Sequence, residues 1–218
     1  MPAGMFALMG LLLLLVLWPI IFTEIMVVAL GKLGISPFSG VLIVLGLFLG
    51  SLINIPVKRF RLPRDESTGT WTLYGLDRWL PPPREKLIAV NIGGCLIPLG
   101  LVLYELLRVN VTSAVLAVLG AVSINVIVCF YVSYYEPGRG ILMPVLLPGV
   151  VAAFCGLVFY PENAPTVAFC AGVLGPLIGA DLLHLRQINK TELGVVSIGG
   201  AGTFDGIVIS GFIALLLS

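Results

Sequence analysis

Long apolar stretches are the feature that most constrains how this chain can fold. Hydrophobic residues make up 59% of it and charged residues 11%, and the mean hydropathy is +1.12. This balance is too apolar for a water-soluble domain, and a transmembrane β-barrel would show short alternating segments, so the sequence predicts an all-α, polytopic membrane protein. About seven stretches approach the ~20 residues that a membrane-spanning helix needs. They are 6–30, 40–57, 87–107, 112–134, 143–159, 164–183 and 193–217.

The placement of lysine and arginine predicts the orientation of these helices. Cytoplasmic loops of membrane proteins carry an excess of basic residues. Most basic residues of this chain lie in segment 58–86, which we therefore expect to form a cytoplasmic loop within a single transmembrane domain, 1–218. This orientation puts the N-terminus inside and the C-terminus outside. Only Lys32 and Arg108, of the twelve basic residues, then fall on the outer side.

Composition argues against several classes of site. A formal net charge of +1 provides no field that would attract nucleic acid. His184 is the one histidine, and the four cysteines lie within apolar stretches, which is typical of small buried side chains rather than of disulfides or metal ligands. No phosphate-binding loop occurs. We therefore expect no metal, no cofactor and no nucleic-acid partner.

Two asparagines within the apolar stretches are candidates for a polar site. Asn54 stands next but one to Pro56, and Asn91 precedes Gly93 and Gly94. Proline and glycine open backbone hydrogen bonds in a helix, as happens at binding sites formed by broken helices. The alternative is that both side chains only bond to neighbouring helices. The sequence leaves these two interpretations equal.

Two aspartates lie in the last two apolar stretches, where carboxylates are costly and need a reason. Because the predicted topology makes these helices antiparallel, Asp181 and Asp205 both fall on the cytoplasmic half. Two carboxylates that share a site cannot both ionise cheaply, so a protonated general acid stands beside a general base. The pattern therefore predicts a catalytic pair for peptide hydrolysis. The alternative is that both aspartates are ordinary residues of helix ends.

Residues beside the aspartates extend the predicted site. The run from Gly199 to Gly202 is expected to interrupt the last helix, so that water reaches the aspartates past Gly200 and Gly202. Thr203 then either lines the site or caps a half-helix. His184 follows Asp181 by three residues on the same helix face, where it either lines the site or lies at the membrane interface.

The stretch Gly202-Thr203-Phe204-Asp205-Gly206 and the apolar run after it resemble the second catalytic helix of the signal peptide peptidase and presenilin group of intramembrane aspartyl proteases. That group has a Gly-x-Gly-Asp (GxGD) motif before a similar apolar run, and its first catalytic aspartate lies on the preceding helix, as Asp181 does. Here two residues separate the last glycine from the aspartate, so the motif is GxGD-like. The resemblance implies that both aspartates are catalytic.

The Pro-Ala-Leu motif of the same group has its nearest counterpart in Ile97-Pro98-Leu99, which adds Pro98 to the predicted site. The whole chain also resembles a family of prokaryotic membrane proteins of unknown function. That second resemblance implies a prokaryotic cell membrane as the location and supplies no activity.

Three functions stay open at this point. The first is an intramembrane aspartyl protease-like hydrolase that cleaves membrane-embedded peptide or protein substrates. The second is a small secondary transporter or ion-coupled carrier with a polar site at broken helices, formed by Asn54, Asn91, Asp181, Asp205 and Glu24. The third is a structural or regulatory membrane protein. In each case the lipid bilayer is a partner, and an oligomer is compatible with the sequence.

Overall fold

The computed structural model describes residues 2–61, 85–109, 111–136, 140–185, 195–201, 203 and 205–218, and helices dominate this part of the chain. The α-helices are α1 (Pro2–Gly31), α2 (Pro37–Gly50), α3 (Ile97–Arg108), α4 (Thr112–Val132), α5 (Leu146–Phe159), α6 (Ala164–Gly175) and α7 (Gly206–Leu217). A π-helical segment, Ile92–Leu96, leads into α3, and a second one, Pro176–Leu182, extends α6. A 3₁₀ turn, Pro161–Asn163, precedes α6.

Five short strands accompany the helices. They are β1 (Asn54–Arg61), β2 (Glu85–Asn91), β3 (Tyr134–Glu136), β4 (Gly140–Leu142) and β5 (Val195–Ile198). β2 is the middle strand of a three-stranded sheet, where it pairs antiparallel with β1 and parallel with β5. β3 and β4 form a separate antiparallel pair.

The prediction of an all-α chain is wrong in these segments. The predicted helix 40–57 ends in β1, the predicted helix 87–107 begins in β2, and the predicted helix 193–217 begins in β5. The part of each strand that falls within a predicted helix is a short, mostly apolar run, and such a run does not differ in periodicity from one end of a buried helix. The backbone hydrogen bonds that make it a strand come from partners far away in the sequence.

Two helical stretches in the described part of the chain are long and apolar enough to cross a membrane, and they are Thr112–Val132 and Pro161–Leu182. The first is largely exposed and the second is largely buried inside the protein. α2, α5 and α7 are equally apolar in character but shorter. These helices indicate association with a membrane, whereas the number of crossings and their direction stay predictions.

α6 is the central helix of the protein, and small residues allow its neighbours to approach closely. A Cβ atom added to Gly172 would lie 2.9 Å from the carbonyl oxygen of Ser210 in α7. One added to Gly175 would overlap the side chain of Asn125 in α4, whose Nδ2 donates to the carbonyl oxygen of Ala171 at 2.8 Å. Helices in membranes associate through such small-residue contacts and interhelical hydrogen bonds. α6 is therefore held between α4 and α7.

A buried polar cluster fastens the end of the helices that is opposite the three-stranded sheet. Glu105 of α3 is buried, and its carboxylate accepts from Thr166 of α6 at 2.8 Å and from Arg108 at 3.3 Å. Arg108 also donates to the carbonyl oxygen of Leu33, at 2.7 Å. Lys32 donates at 3.0 Å to the carbonyl oxygen of Leu216 in α7. The other end, which carries both aspartates, is held by different contacts.

Candidate active site

Asp181 lies on the π-helical segment Pro176–Leu182, directly after α6. Pro176 has no N–H, and its ring crowds the carbonyl of the preceding turn, so the α-helical hydrogen-bonding pattern cannot continue unchanged. The wider π-helix that follows is a local form often found at functional sites. The sequence therefore changes the helix type five residues before Asp181.

Asp205 is the N-cap residue of α7. Its backbone is extended, with φ −69° and ψ 151°, and its Oδ1 accepts from the N–H of Ile207 at 3.0 Å. Its Oδ2 accepts from the N–H of Ala201 at 3.3 Å. Aspartate is a favoured N-cap because its carboxylate pairs with N–H groups that have no partner inside the helix. The predicted capping role of this end of α7 thus belongs to Asp205.

The two aspartates line one cavity with a volume of about 180 Å³. Both side chains are partly buried. Nine other residues complete the lining, and they are Ile141, Leu142, Met143, Val145, Pro176, Ala180, Ala201, Gly206 and Ile207. Two residues that are 24 positions apart in the sequence therefore meet in one small space with mostly apolar walls.

Electrostatic coupling between the carboxylates follows from this arrangement. They are close enough for their charges to repel each other, and the backbone N–H of Gly199 is within hydrogen-bonding reach of the Asp181 carboxylate. Burial raises the pKa of Asp205, which precedes α7, while the N–H groups of Ile207 and Ala201 act in the opposite direction. Proton sharing is the expected behaviour of such a pair.

The turn after β5 brings backbone groups to the aspartates. Gly199 has φ +69°, a conformation that residues with a side chain rarely adopt. A Cβ atom at Gly199 would lie 2.7 Å from the carbonyl carbon of Gly94, so this turn packs against the π-helical segment Ile92–Leu96. The N–H of Gly200 donates to the carbonyl oxygen of Ser197 at 3.1 Å and closes the turn.

Two more predicted site residues belong to this turn. Thr203 is buried, and its hydroxyl has no hydrogen-bond partner among the described residues. Gly200 is exposed, and neither Gly200 nor Thr203 is among the residues that line the cavity. The prediction for Gly202 falls outside the described residues.

Asn54 and Asn91 bond to each other and fix the strands that carry the turn. Asn91 is fully buried; its Nδ2 donates to the carbonyl oxygen of Ser51 at 2.8 Å and to Oδ1 of Asn54 at 3.1 Å. Its Oδ1 accepts from the N–H of Gly94 at 2.7 Å. The hydroxyl of Ser197 in β5 donates to Oδ1 of Asn54. These asparagines thus join β1, β2 and β5, and the cavity lining does not include them.

His184, Pro98 and Glu24 also lie outside the cavity lining. Nδ1 of His184 is 3.0 Å from the carbonyl oxygens of Gly179 and Ala180, in the segment that bears Asp181, which fits an Nδ1–H donor. His184 is buried and holds the backbone of the segment that bears Asp181 through these two contacts. Pro98 is buried in the first turn of α3, and Glu24 is exposed on α1.

Comparison with known proteins adds a family to this geometry. Residues 48–217 match the profile of a family described as "Protein of unknown function (DUF1614)". The chain belongs to that family. The matched region contains the whole three-stranded sheet, both aspartates and every residue that lines their cavity, so the site lies inside the part that DUF1614 defines. No curated protein and no solved structure matches the chain.

The apolar wall of the cavity is what sequence reasoning missed. Ile141 and Leu142 belong to β4, and Met143 and Val145 follow it. Nothing in their residue types signals chemistry, and they lie about forty residues before Asp181 in the sequence. The one available signal was their position just before α5, at the same end of the helices as the aspartates.

The arrangement offers two carboxylates and few other polar groups. Within the part of the chain that the structure describes, no group of three or more His, Cys, Asp or Glu side chains is placed to hold a metal ion. The groups at hand suit proton transfer, because one protonated and one ionised carboxyl can act as acid and base on the same small molecule, such as water.

Asn91→Ala is expected to destabilise the folded chain by about 1–3 kcal/mol, because it leaves the buried N–H of Gly94 and the carbonyl of Ser51 without a partner. The measurement is the unfolding temperature of the purified protein in detergent. Asn163→Ala, at an exposed position in the 3₁₀ turn, is the matched control and is expected to leave this temperature unchanged. Equal temperatures for both variants would contradict a structural role for Asn91.

Proposed function

We propose that this protein is an intramembrane aspartyl protease-like hydrolase in which Asp181 and Asp205 are the catalytic pair. The observation that carries the proposal is that both carboxylates line one cavity of about 180 Å³, although they come from different helical elements. A space of this size holds a few water molecules or one apolar side chain. The GxGD-like sequence before α7 supports the same conclusion.

The two carboxyls divide the proton transfers of peptide hydrolysis between them. The ionised carboxylate takes a proton from a water molecule whose oxygen attacks the carbonyl carbon, and the protonated carboxyl gives its proton to the carbonyl oxygen. In the second step the C–N bond breaks. The nitrogen takes the proton that came from water, and a hydroxyl of the intermediate returns a proton to the other carboxylate. The products are a carboxylic acid and an amine, and the pair regains its first protonation state.

The walls of the cavity indicate the substrate class. Ile141, Leu142, Met143 and Val145 form an apolar side, so the residue next to the scissile bond should itself be apolar. Such residues are abundant in membrane-embedded peptides and proteins. With seven crossings and the N-terminus inside, the cavity would face the cytoplasmic half of a prokaryotic cell membrane.

A transition-state mimic provides the direct test. A peptide of apolar residues in which a hydroxyethylene group replaces one peptide bond, with a photoreactive label, should react with the purified protein in detergent. Transition-state analogues bind far more tightly than substrates, because catalysis depends on tighter binding of the transition state. Labelling should disappear in Asp181→Asn and Asp205→Asn and persist in the exposed control Glu162→Gln. Labelling that is equal in all four proteins, or absent from all, would reject the hydrolase.

The π-helical break favours a second candidate, a small ion-coupled carrier. Broken helices next to an acidic residue are typical of secondary transporters, and Asp181 lies on such a segment. The two functions separate in one comparison. A carrier reconstituted in vesicles would show saturable uptake that is lost in Asp181→Asn without any peptide cleavage, whereas the hydrolase would cleave a membrane peptide without uptake.

A further inference from the structure

One end of the β1–β2 pair is exposed and apolar. Leu52 is 80% exposed, Val57 is 64% exposed and Ile53 is 51% exposed, and Ile55 adds a further exposed apolar side chain. In water this cluster would be costly. It lies immediately after α2, one of the apolar helices, so it continues the apolar surface of that helix beyond its last turn.

The next residues along the same strand are basic. Lys58 and Arg59 are exposed and follow Val57 directly, and Arg61 ends the strand. In the antiparallel register Phe60 lies opposite Lys86 and Arg61 lies opposite Glu85. Four basic positions and one acidic position therefore gather at the far end of the pair, Lys58, Arg59, Arg61, Lys86 and Glu85. Lys58 and Arg59 lie opposite Ile88 and Leu87, so β1 changes from apolar to basic along its length while β2 remains apolar as far as Leu87.

The distance over which this change occurs matches a membrane interface. Val57 and Arg59 are about 7 Å apart along a strand that rises roughly 3.3 Å per residue. The polar layer on each side of a bilayer is of similar thickness, about 5–8 Å from the difference between total and hydrocarbon thickness. The strand thus has its apolar residues where acyl chains begin and its basic residues where phosphate groups lie.

The position of β1 in the sheet also supports its location at the membrane interface. Among the described residues the sheet order is β1-β2-β5, so no described strand pairs with the outer edge of β1. An open sheet edge does not occur in the hydrocarbon core, because its N–H and C=O groups would have no partner there. At the interface those groups can bond to water and lipid headgroups. Pro56, which has no N–H to satisfy, also suits an edge strand.

We propose that β1 is a docking surface for anionic phospholipid headgroups, with Lys58 and Arg59 as the main contacts. Charge complementarity selects this partner, since a basic cluster beside an apolar one fits a lipid that has both a phosphate and acyl chains. The attraction does not depend on Asp181 or Asp205, so it stands whether or not the protein is a hydrolase.

The test compares lipids that differ only in headgroup charge. Native mass spectrometry of the full chain in a neutral detergent gives dissociation constants for phosphatidylglycerol and phosphatidylcholine with identical acyl chains. We expect phosphatidylglycerol to bind more tightly, and each removed charge to weaken it roughly fivefold. The double variant Lys58→Gln/Arg59→Gln should therefore lose most of the preference. Arg186→Gln/Lys190→Gln removes the same formal charge from another segment of the sequence and should keep the preference.

Three results would overturn the proposal. One is equal binding of the two lipids by the unaltered protein, and another is a preference that survives in Lys58→Gln/Arg59→Gln. The third is competition by inorganic phosphate at the concentration of the lipid, since this would indicate a free-anion site instead of a lipid surface. The single variants Lys58→Gln and Arg59→Gln are the control for misfolding of the double variant. Each must lose part of the preference for phosphatidylglycerol at an unchanged unfolding temperature.

Discussion

Asp181→Asn and Asp205→Asn are each expected to lower the rate of peptide hydrolysis by roughly 10²- to 10⁴-fold, the contribution typical of a positioned general acid or base. An amide cannot take the proton of the attacking water at neutral pH or return it to the leaving amine. The loss should appear for both residues, because each carboxyl takes part in one proton transfer in each of the two steps. The assay is cleavage of a tagged, apolar helical peptide incorporated in detergent micelles with the protein.

The choice of asparagine separates the catalytic role of Asp205 from its structural one. Asparagine is also a favoured N-cap, so its side-chain oxygen can still accept from the N–H of Ile207. We therefore expect Asp205→Asn to fold with little change in unfolding temperature. Asp205→Ala removes both roles and should also lose about 0.5–2 kcal/mol of stability.

The structural alternative predicts a different pattern. If both aspartates only serve helix ends, Asp181→Ala and Asp205→Ala would unfold the protein in detergent, while the asparagine variants would cleave the peptide at the rate of the unaltered protein. Glu162→Gln, an exposed carboxyl-to-amide change in the 3₁₀ turn, shows how much rate variation the assay gives by itself. An asparagine variant that stays within that variation would contradict catalysis by the pair.

The helices of this protein could be predicted because their signal is local. Each of the seven apolar stretches overlaps with one α-helix, and the 21-residue α4 matches its predicted stretch closely. The strands could not, since β2 depends on partners from both sides, β1 and β5, and β5 is more than a hundred residues away in the sequence. A short run such as Val195–Ile198 carries no information about whether a partner exists.

For the candidate site, too, the sequence predicts features that depend on residue type and misses those that depend on strand pairing. Asp181 and Asp205 could be identified because carboxylates are rare and costly in such surroundings, and the order of the helices predicts that they lie at the same end. Asn54 and Asn91 could also be identified from the sequence, but their hydrogen-bond partners could not. Asn91 bonds to Asn54 because β1 and β2 pair. The sequence predicts helices in both segments and therefore does not predict this pairing. The residue types in the sequence thus identified the polar residues, whereas strand pairing determines which residues they contact.

Gly199→Ala is expected to reduce both stability and activity, because two costs coincide at this residue. A side chain at φ +69° costs roughly 1–2 kcal/mol. The added Cβ would also lie 2.7 Å from the carbonyl carbon of Gly94 and 2.8 Å from the nitrogen of Cys95, which are backbone atoms of a packed π-helical segment, and overpacking of this kind typically costs 1–3 kcal/mol. Relief of the overlap moves the turn and takes the Gly199 N–H away from Asp181.

Gly34→Ala is the matched control, because Gly34 has nearly the same backbone conformation, φ +74°, at the opposite end of the helices. Among the described residues its added Cβ would meet only the guanidinium group of Arg108, at 3.4 Å, which is an ordinary van der Waals contact. Gly34→Ala should therefore show the conformational cost alone, with cleavage unchanged. Unfolding temperature and cleavage rate measured on both variants separate the two effects. If Gly199→Ala loses no more than Gly34→Ala in either measurement, the turn does not hold the catalytic pair in place, and the contact of Gly199 with Asp181 has no functional weight.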